Sequence, residues 1–216
     1  VRASLNVWRA LYFQAGRFEP NPDRSEAWNR GAYIVDALAH CGACHTPRDA
    51  LGGPIEGQAL RGARIEEWYA PDISGGPGSV IADWSAERLR AFLSGDSADH
   101  VALGSMQLVV DDLAKVNADD LDALVTYLMD QPSTEAGAAP PPAVRVTAAD
   151  RARWESLFDA NCATCHGADG EGGPDLAASL VGAGGVLADR PTNIITVLLE
   201  GMRPRGDYGA MPSFRN

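Results

Sequence analysis

The sequence predicts an all-α protein in which one small helical domain occurs twice in tandem. Three observations carry this. Apolar residues recur at helical spacing in short segments parted by Gly/Pro-rich loops. The pattern Cys-x-x-Cys-His occurs twice, each time at the end of such a segment and before such a loop. A Pro/Ala-rich stretch separates the two copies.

Residues 1–24 read as a connecting arm. Val1, Leu5, Trp8, Leu11 and Tyr12 recur at roughly helical spacing, and Gly16, Pro20 and Pro22 then break the pattern. Such an arm is expected to pack on its own domain rather than on a membrane or a partner. Residues 25–131 form the first domain. Ser25 is placed to cap a helix running through Trp28, Ala32, Val35 and Ala39 into the first Cys-x-x-Cys-His. A loop with Pro47, Gly52, Gly53 and Pro54 follows. A second helix comes after Trp84, with Leu89, Phe92 and Leu93 on one face and Gly95 as its stop. A third starts at Asn117, with Asp120 placed as in a capping box and Leu121, Leu124, Val125 and Leu128 on one stripe.

Residues 132–146 read as a stiff, extended linker, with Pro132, Gly137 and Pro140-Pro141-Pro142 among alanines. The pattern restarts in the second domain, residues 147–216. Thr147 and Asp150 cap a helix carrying Trp154, Leu157 and Phe158 toward Cys162. A loop over 167–176 follows, then a short helix from about Asn193 to Glu200, stopped by Gly201. By analogy with the first copy, a helix is expected after Met211, so the second copy reads as incomplete, without its C-terminal helix.

The 216 residues include 18 basic and 29 acidic side chains, a formal net charge of -11. That surface repels nucleic acid and anionic headgroups and leaves room for a cationic partner. Lys115 is the only lysine. No run of about 18 apolar residues encodes a membrane-spanning helix, and no secretory signal opens the chain. The start at Val1 suggests a mature chain or one that begins partway through a longer protein. Membrane association is therefore expected only through segments outside the chain or through partner subunits.

Cys41-Gly42-Ala43-Cys44-His45 and Cys162-Ala163-Thr164-Cys165-His166 carry the chemistry. Cys-x-x-Cys-His is the attachment signature of c-type haem. Two thiols three positions apart on a helical turn can each add to one porphyrin vinyl group, and the adjacent imidazole then lies under the ring to ligate iron. A zinc ribbon pairs its knuckles about 15–20 residues apart, whereas here more than 100 residues separate the pairs. A thioredoxin-like motif needs a βαβ setting, and the flanks here read as helix and Gly/Pro loop. Two covalently bound haems are the expectation, in all-α domains of the class I cytochrome c type.

Haem iron that only transfers electrons takes a ligand opposite histidine. In the first domain Met106 is favoured, on a flexible loop before the last helix, over His100, read as a surface residue, and Met129, within a helix. In the second domain Met211 holds the equivalent place, and Met202 beside the helix stop reads as packing. The ligand set expected is thus Cys41, Cys44, His45 and Met106, then Cys162, Cys165, His166 and Met211. The carbonyls of Pro54 and Pro174, each in a Gly-Gly-Pro sequence, are candidate acceptors for the histidines' second N–H. Arg48, Trp84 and Arg190 are candidates to meet propionates.

Residues 28–35 (Trp-Asn-Arg-Gly-Ala-Tyr-Ile-Val), 40–48 around the first motif and Leu51-Gly52-Gly53 resemble the three-haem cytochrome c subunit of membrane-associated bacterial dehydrogenases. That family serves alcohol, gluconate, sorbitol and fructose dehydrogenases and some molybdenum hydroxylases. Trp8-Arg9-Ala10-Leu11-Tyr12-Phe13 is similar to its connector between haem domains, Ala70-Pro71-Asp72-Ile73 to its loop before the middle helix, and Gly104-Ser105-Met106 to its ligand loop. The resemblance covers nearly the whole chain, is specific in the first domain and generic in the second, and matches the second and third haem domains. It implies an electron-transfer role without catalysis: electrons arrive from a dehydrogenase catalytic subunit and leave to quinone, a terminal oxidase or another carrier. Haem attachment outside the bacterial cytoplasm implies the periplasm or the periplasmic face of the inner membrane. The competing readings are a haem enzyme, such as a dihaem peroxidase or thiosulfate dehydrogenase, which needs an open sixth position, and a freely diffusing dihaem carrier.

Overall fold

The computed structural model describes residues 2–131, 145–188 and 190–215. The predicted linker residues 132–144, with Pro132, Gly137 and Pro140 to Pro142, lie outside the described residues. The helices are α1 (Arg2–Tyr12), α2 (Glu26–Tyr33), α3 (Gly42–His45), α4 (Ala86–Ser94), α5 (Met106–Leu113), α6 (Ala118–Met129), α7 (Ala148–Asn161), α8 (Ala163–His166), α9 (Gly184–Leu187) and α10 (Thr192–Glu200). Two short strands, β1 (Ala63–Ile65) and β2 (Trp68–Ala70), pair antiparallel with Ile65 opposite Trp68.

The fold is helix-rich, as the all-α expectation has it, and this hairpin is the one sheet among the described residues. Ile65, Trp68 and Tyr69 suit a pleated surface, and the reversal is made by Glu66 in the left-handed region, at φ 51°. A non-glycine residue there gives no turn signature of the Asn-Gly kind, so the sequence pattern does not announce it.

By packing, the described residues fall into two compact units. One holds residues up to 86 together with 116–131, and the other holds 87–115 with 145–188 and 190–215. The units therefore interleave along the chain, with α4 and α5 in the second.

The first unit is built on α2 against α6. Ser25 Oγ accepts from the Trp28 N–H at 3.1 Å and starts α2. Asn117 Oδ1 accepts from the Asp120 N–H at 2.9 Å and starts α6. The helices touch backbone to backbone at Gly31, where a Cβ would lie 2.0 Å from the Ala123 carbonyl oxygen. Val35 and Leu124 are sealed at 0% and 1% exposure, with Ala32, Ile34, Leu121, Val125 and Leu128 buried around them. Trp28 meets Tyr127 edge to face at 4.9 Å. Arg30 makes a forked pair with Asp120, donating from Nε at 2.6 Å and from Nη2 at 2.8 Å. The arm belongs to this unit: Trp8 Nε1–H donates to the Leu51 carbonyl at 3.1 Å and the Tyr12 hydroxyl to Asp49 at 2.7 Å. Gly53 is required there, because a Cβ would run into the Tyr12 ring.

The second unit has less apolar interior. Leu89 and Leu93 of α4, Ala102, and Val110 and Leu113 of α5 are buried. Gly95, at φ 81°, ends α4 as expected. Thr147 and Asp150 form the expected capping box on α7, which buries none of its residues. Among the described residues no helix is long and apolar enough to cross a membrane.

Candidate haem-binding sites

In the first unit α2 runs on into a π-helical segment, Ile34–Leu38, in which the Ala39 N–H reaches the Ile34 carbonyl at 2.7 Å. His40 then turns the chain at φ 41°, a left-handed conformation that is costly outside glycine. That reversal starts the single turn of α3, where the His45 N–H bonds the Cys41 carbonyl at 2.9 Å. The turn places Cys41, half-buried, and Cys44, exposed, beside the buried His45, and neither thiol is in a disulfide. Burial pushes the Cys41 thiol up to about 11, so it is uncharged at neutral pH. Burial also holds His45 below the ordinary imidazole value, with the Pro71 carbonyl pulling the other way.

Orientation of the imidazole decides what it can do. The His45 Nδ1–H donates to the Pro71 carbonyl at 2.8 Å. A carbonyl can only accept, so the proton sits on Nδ1 and the Nε2 lone pair is left for a metal. The second motif repeats the arrangement. The His166 N–H bonds the Cys162 carbonyl at 2.9 Å, and the His166 Nδ1–H donates to the Ala178 carbonyl at 3.1 Å. Each histidine carbonyl also accepts from a downstream glycine, Gly62 at 2.7 Å and Gly172 at 2.8 Å. Two free thiols on one turn, followed by an imidazole with a fixed tautomer and a free Nε2, are the donor set that covalent haem attachment needs. Both sites fit the group.

The acceptors differ from those the sequence suggested. Pro54 is paired back on Arg48 and Pro174 lies in the turn closed by Gly173 and Ala177, so both Gly-Gly-Pro stretches close local loops. Pro71 and Ala178 take the role instead. Pro71 lies in the Ala-Pro-Asp-Ile stretch singled out by resemblance; Ala178 carries no local signal.

The other candidates fall as follows. Met106 is half-buried on the first turn of α5, after Gly104 at φ 53°, rather than on a flexible loop. His45 belongs to the first compact unit and Met106 to the second. Met211 pairs with Met202 across an antiparallel bridge, exchanging hydrogen bonds of 2.9 and 3.0 Å. Directly opposed residues project from the same face of a ladder, so the two thioethers leave the hairpin side by side. His100 is not a surface residue: it is 5% exposed, between Arg88 and Asp99. Met129 is partly exposed at the end of α6. Arg48 spends its guanidinium on the Gly52 and Ala43 carbonyls, Trp84 is buried, and Arg190 is exposed. Sequence reasoning missed Arg61, buried 3.7 Å from Asp72 beside the Pro71 acceptor.

Comparison with known proteins points to cytochromes. Residues 149–216 match the family described as cytochrome c oxidase, cbb3-type, subunit III. That stretch is similar to a cytochrome domain, and such a domain implies covalently bound haem c. It is 36% identical over 227 residues to a nicotinate dehydrogenase subunit of Pseudomonas putida, covering 100% of this chain and 19% of that protein. Identity is also 36% over 243 residues to the fructose dehydrogenase cytochrome subunit of Gluconobacter japonicus, covering 99% and 49%. The gluconate 2-dehydrogenase cytochrome c subunit of Pantoea cypripedii is 32% identical over 245 residues, covering 99% and 54%. The chain is homologous to the cytochrome c subunits of bacterial dehydrogenases and fits their multi-haem type. It spans about half the length of the fructose and gluconate relatives and about a fifth of the nicotinate one.

Proposed function

We propose that this chain is the dihaem part of a multi-haem electron-transfer subunit, relaying electrons from a dehydrogenase catalytic subunit to quinone or a downstream acceptor such as a terminal oxidase. The observation that carries the reading is the twice-built turn in which a histidine, fixed through Nδ1 by a backbone carbonyl, follows two free thiols. Cys41 and Cys44, then Cys162 and Cys165, hold the two haems as thioethers. His45 and His166 would present Nε2 to the irons, with Met106 and Met211 as the further ligands. The bound haem supplies a one-electron iron couple, and a thioether ligand raises its potential.

On this reading residues 25–131 and 147–216 are tandem class I cytochrome c-like domains, 1–24 is an arm, and 132–146 a linker. The relatives named as dehydrogenase subunits support a dehydrogenase partner, and haem attachment supports the periplasm or the outer face of the inner membrane. The chain does no substrate chemistry itself. The test mixes the matured chain with a substrate-loaded dehydrogenase of this type and follows the reduced visible bands. Reduction of both haems without direct reaction of peroxide or thiosulfate is expected. Turnover of either small molecule at a haem would overturn the relay in favour of the enzyme reading.

A further inference from the structure

The stretch that carries Met106 also grips both ligand elements of the second motif. On the histidine side, Ala178 and Ser179 share one peptide group. Its carbonyl accepts from the His166 Nδ1–H at 3.1 Å, and its N–H donates to the Asp99 carbonyl at 2.8 Å. Asp99 is locked by its side chain, which takes bonds from Arg88 at 2.7 Å and Ser97 at 2.9 Å and lies 3.1 Å from His100. Gly182, in the same loop as the acceptor, lies against His100 and Arg88.

On the methionine side, the hairpin joining Met202 to Met211 is closed at its tip by the Arg205–Tyr208 bridge. The Tyr208 hydroxyl donates to the Ala98 carbonyl at 2.6 Å. Arg205 Nη2 donates to Asp111 at 2.7 Å and to the Gln107 carbonyl at 3.3 Å. Residues 98–111 thus touch the loop that aims His166 and the hairpin that carries Met211, and all of these residues lie in one compact unit.

We propose that residues 98–111 are a positioning strap for the second haem, holding the carbonyl that orients His166 in register with the hairpin that presents Met211. This rests on the reading of His166 and Met211 as axial ligands. Tyr208, Arg205 and Asp99 are positioning residues: they act on the ligands through the backbone that bears them. Loosening the strap frees the hairpin, weakens the iron–thioether bond and lowers the potential of that haem, because thioether ligation favours the reduced iron.

The test uses the full chain with both haems attached. Met211→Ala first identifies which of the two potentials belongs to the second haem. Tyr208→Phe and Arg205→Gln each remove hydrogen bonds at the hairpin tip. Either is expected to cost up to about tenfold in thioether ligation, a fall of at most about 59 mV in that potential, with weakening of the red charge-transfer band of the ferric thioether bond. Arg205→Lys, which keeps a charged donor to Asp111, is expected to recover most of it. Unchanged potentials and band in Tyr208→Phe and Arg205→Gln, while Met211→Ala shifts them, would overturn the strap alone. No effect of Met211→Ala would overturn the ligand reading and the strap with it. In the unmutated chain, the Ser179, Met202 and Met211 amides are expected to exchange with deuterium together with residues 98–111. Independent exchange would equally overturn the strap.

Discussion

The two Cys-x-x-Cys-His turns share their local backbone and sit in contrasting surroundings. The first follows a helix pressed onto α6, with Val35 and Leu124 sealed from solvent. The second follows α7, which leaves Trp154 and Leu157 each 53% exposed and buries nothing. The paired-thiol turn takes the same local form in both surroundings. That form consists of one helical turn, a carbonyl placed for Nδ1, and a glycine N–H to hold the histidine's own carbonyl.

The sharpest way to break this contrast is to hollow each region in turn. Leu124→Ala is expected to destabilise the first unit by about 2–5 kcal/mol. Trp154→Ala on the exposed face of α7 should cost well under about 1 kcal/mol. Denaturant unfolding followed at each motif compares them, and equal losses would contradict the contrast. Gly31→Ala comes next. Its new methyl meets the Ala123 backbone, so α2 and α6 must part, at about 1–3 kcal/mol. A melting temperature unchanged by that substitution would refute the close approach.

Thr147→Ala isolates local helix signals from packing. It removes the Thr147 hydroxyl that accepts from the Asp150 N–H, leaves the backbone bond from residue 147 to the Asp150 carboxylate, and should cost about 1 kcal/mol, read as fraying of α7 by amide exchange. The smallest effect is electrostatic. Arg30, foremost, and then Asn117 hold the Asp120 carboxylate down at about 2. A depressed carboxylate stabilises the fold above its ordinary value of roughly 4, and that contribution is lost as pH falls toward about 2. Because the pair is exposed the effect is small. Asp120→Asn should flatten stability against pH across this window, and an unaltered slope would show that the pair contributes nothing.

Helix starts were legible because capping is local chemistry: Ser25, Asn117 and Thr147 each accept the bond their spacing promised. The turn that sets two thiols beside an imidazole was legible because its members are neighbours in sequence. Partners that depend on loop closure were not. Pro71 lies 26 residues from His45 and Ala178 lies 12 from His166, distances that no local pattern encodes. The π-helical stretch at 34–38 and the positive φ of His40 and Glu66 lack the glycine that would have marked them. His100 looked like a surface residue because the groups that bury it, Arg88 on α4 and Gly182 beyond the second motif, come from distant parts of the chain.

The central claim is that both turns carry haem. Digestion of the periplasmically matured protein, followed by mass measurement of the peptides spanning residues 41–45 and 162–166, tests it most directly. The account predicts one haem adduct on each peptide, joined through both cysteines. Either peptide at its bare polypeptide mass, or a zinc ion in place of the porphyrin, would contradict it.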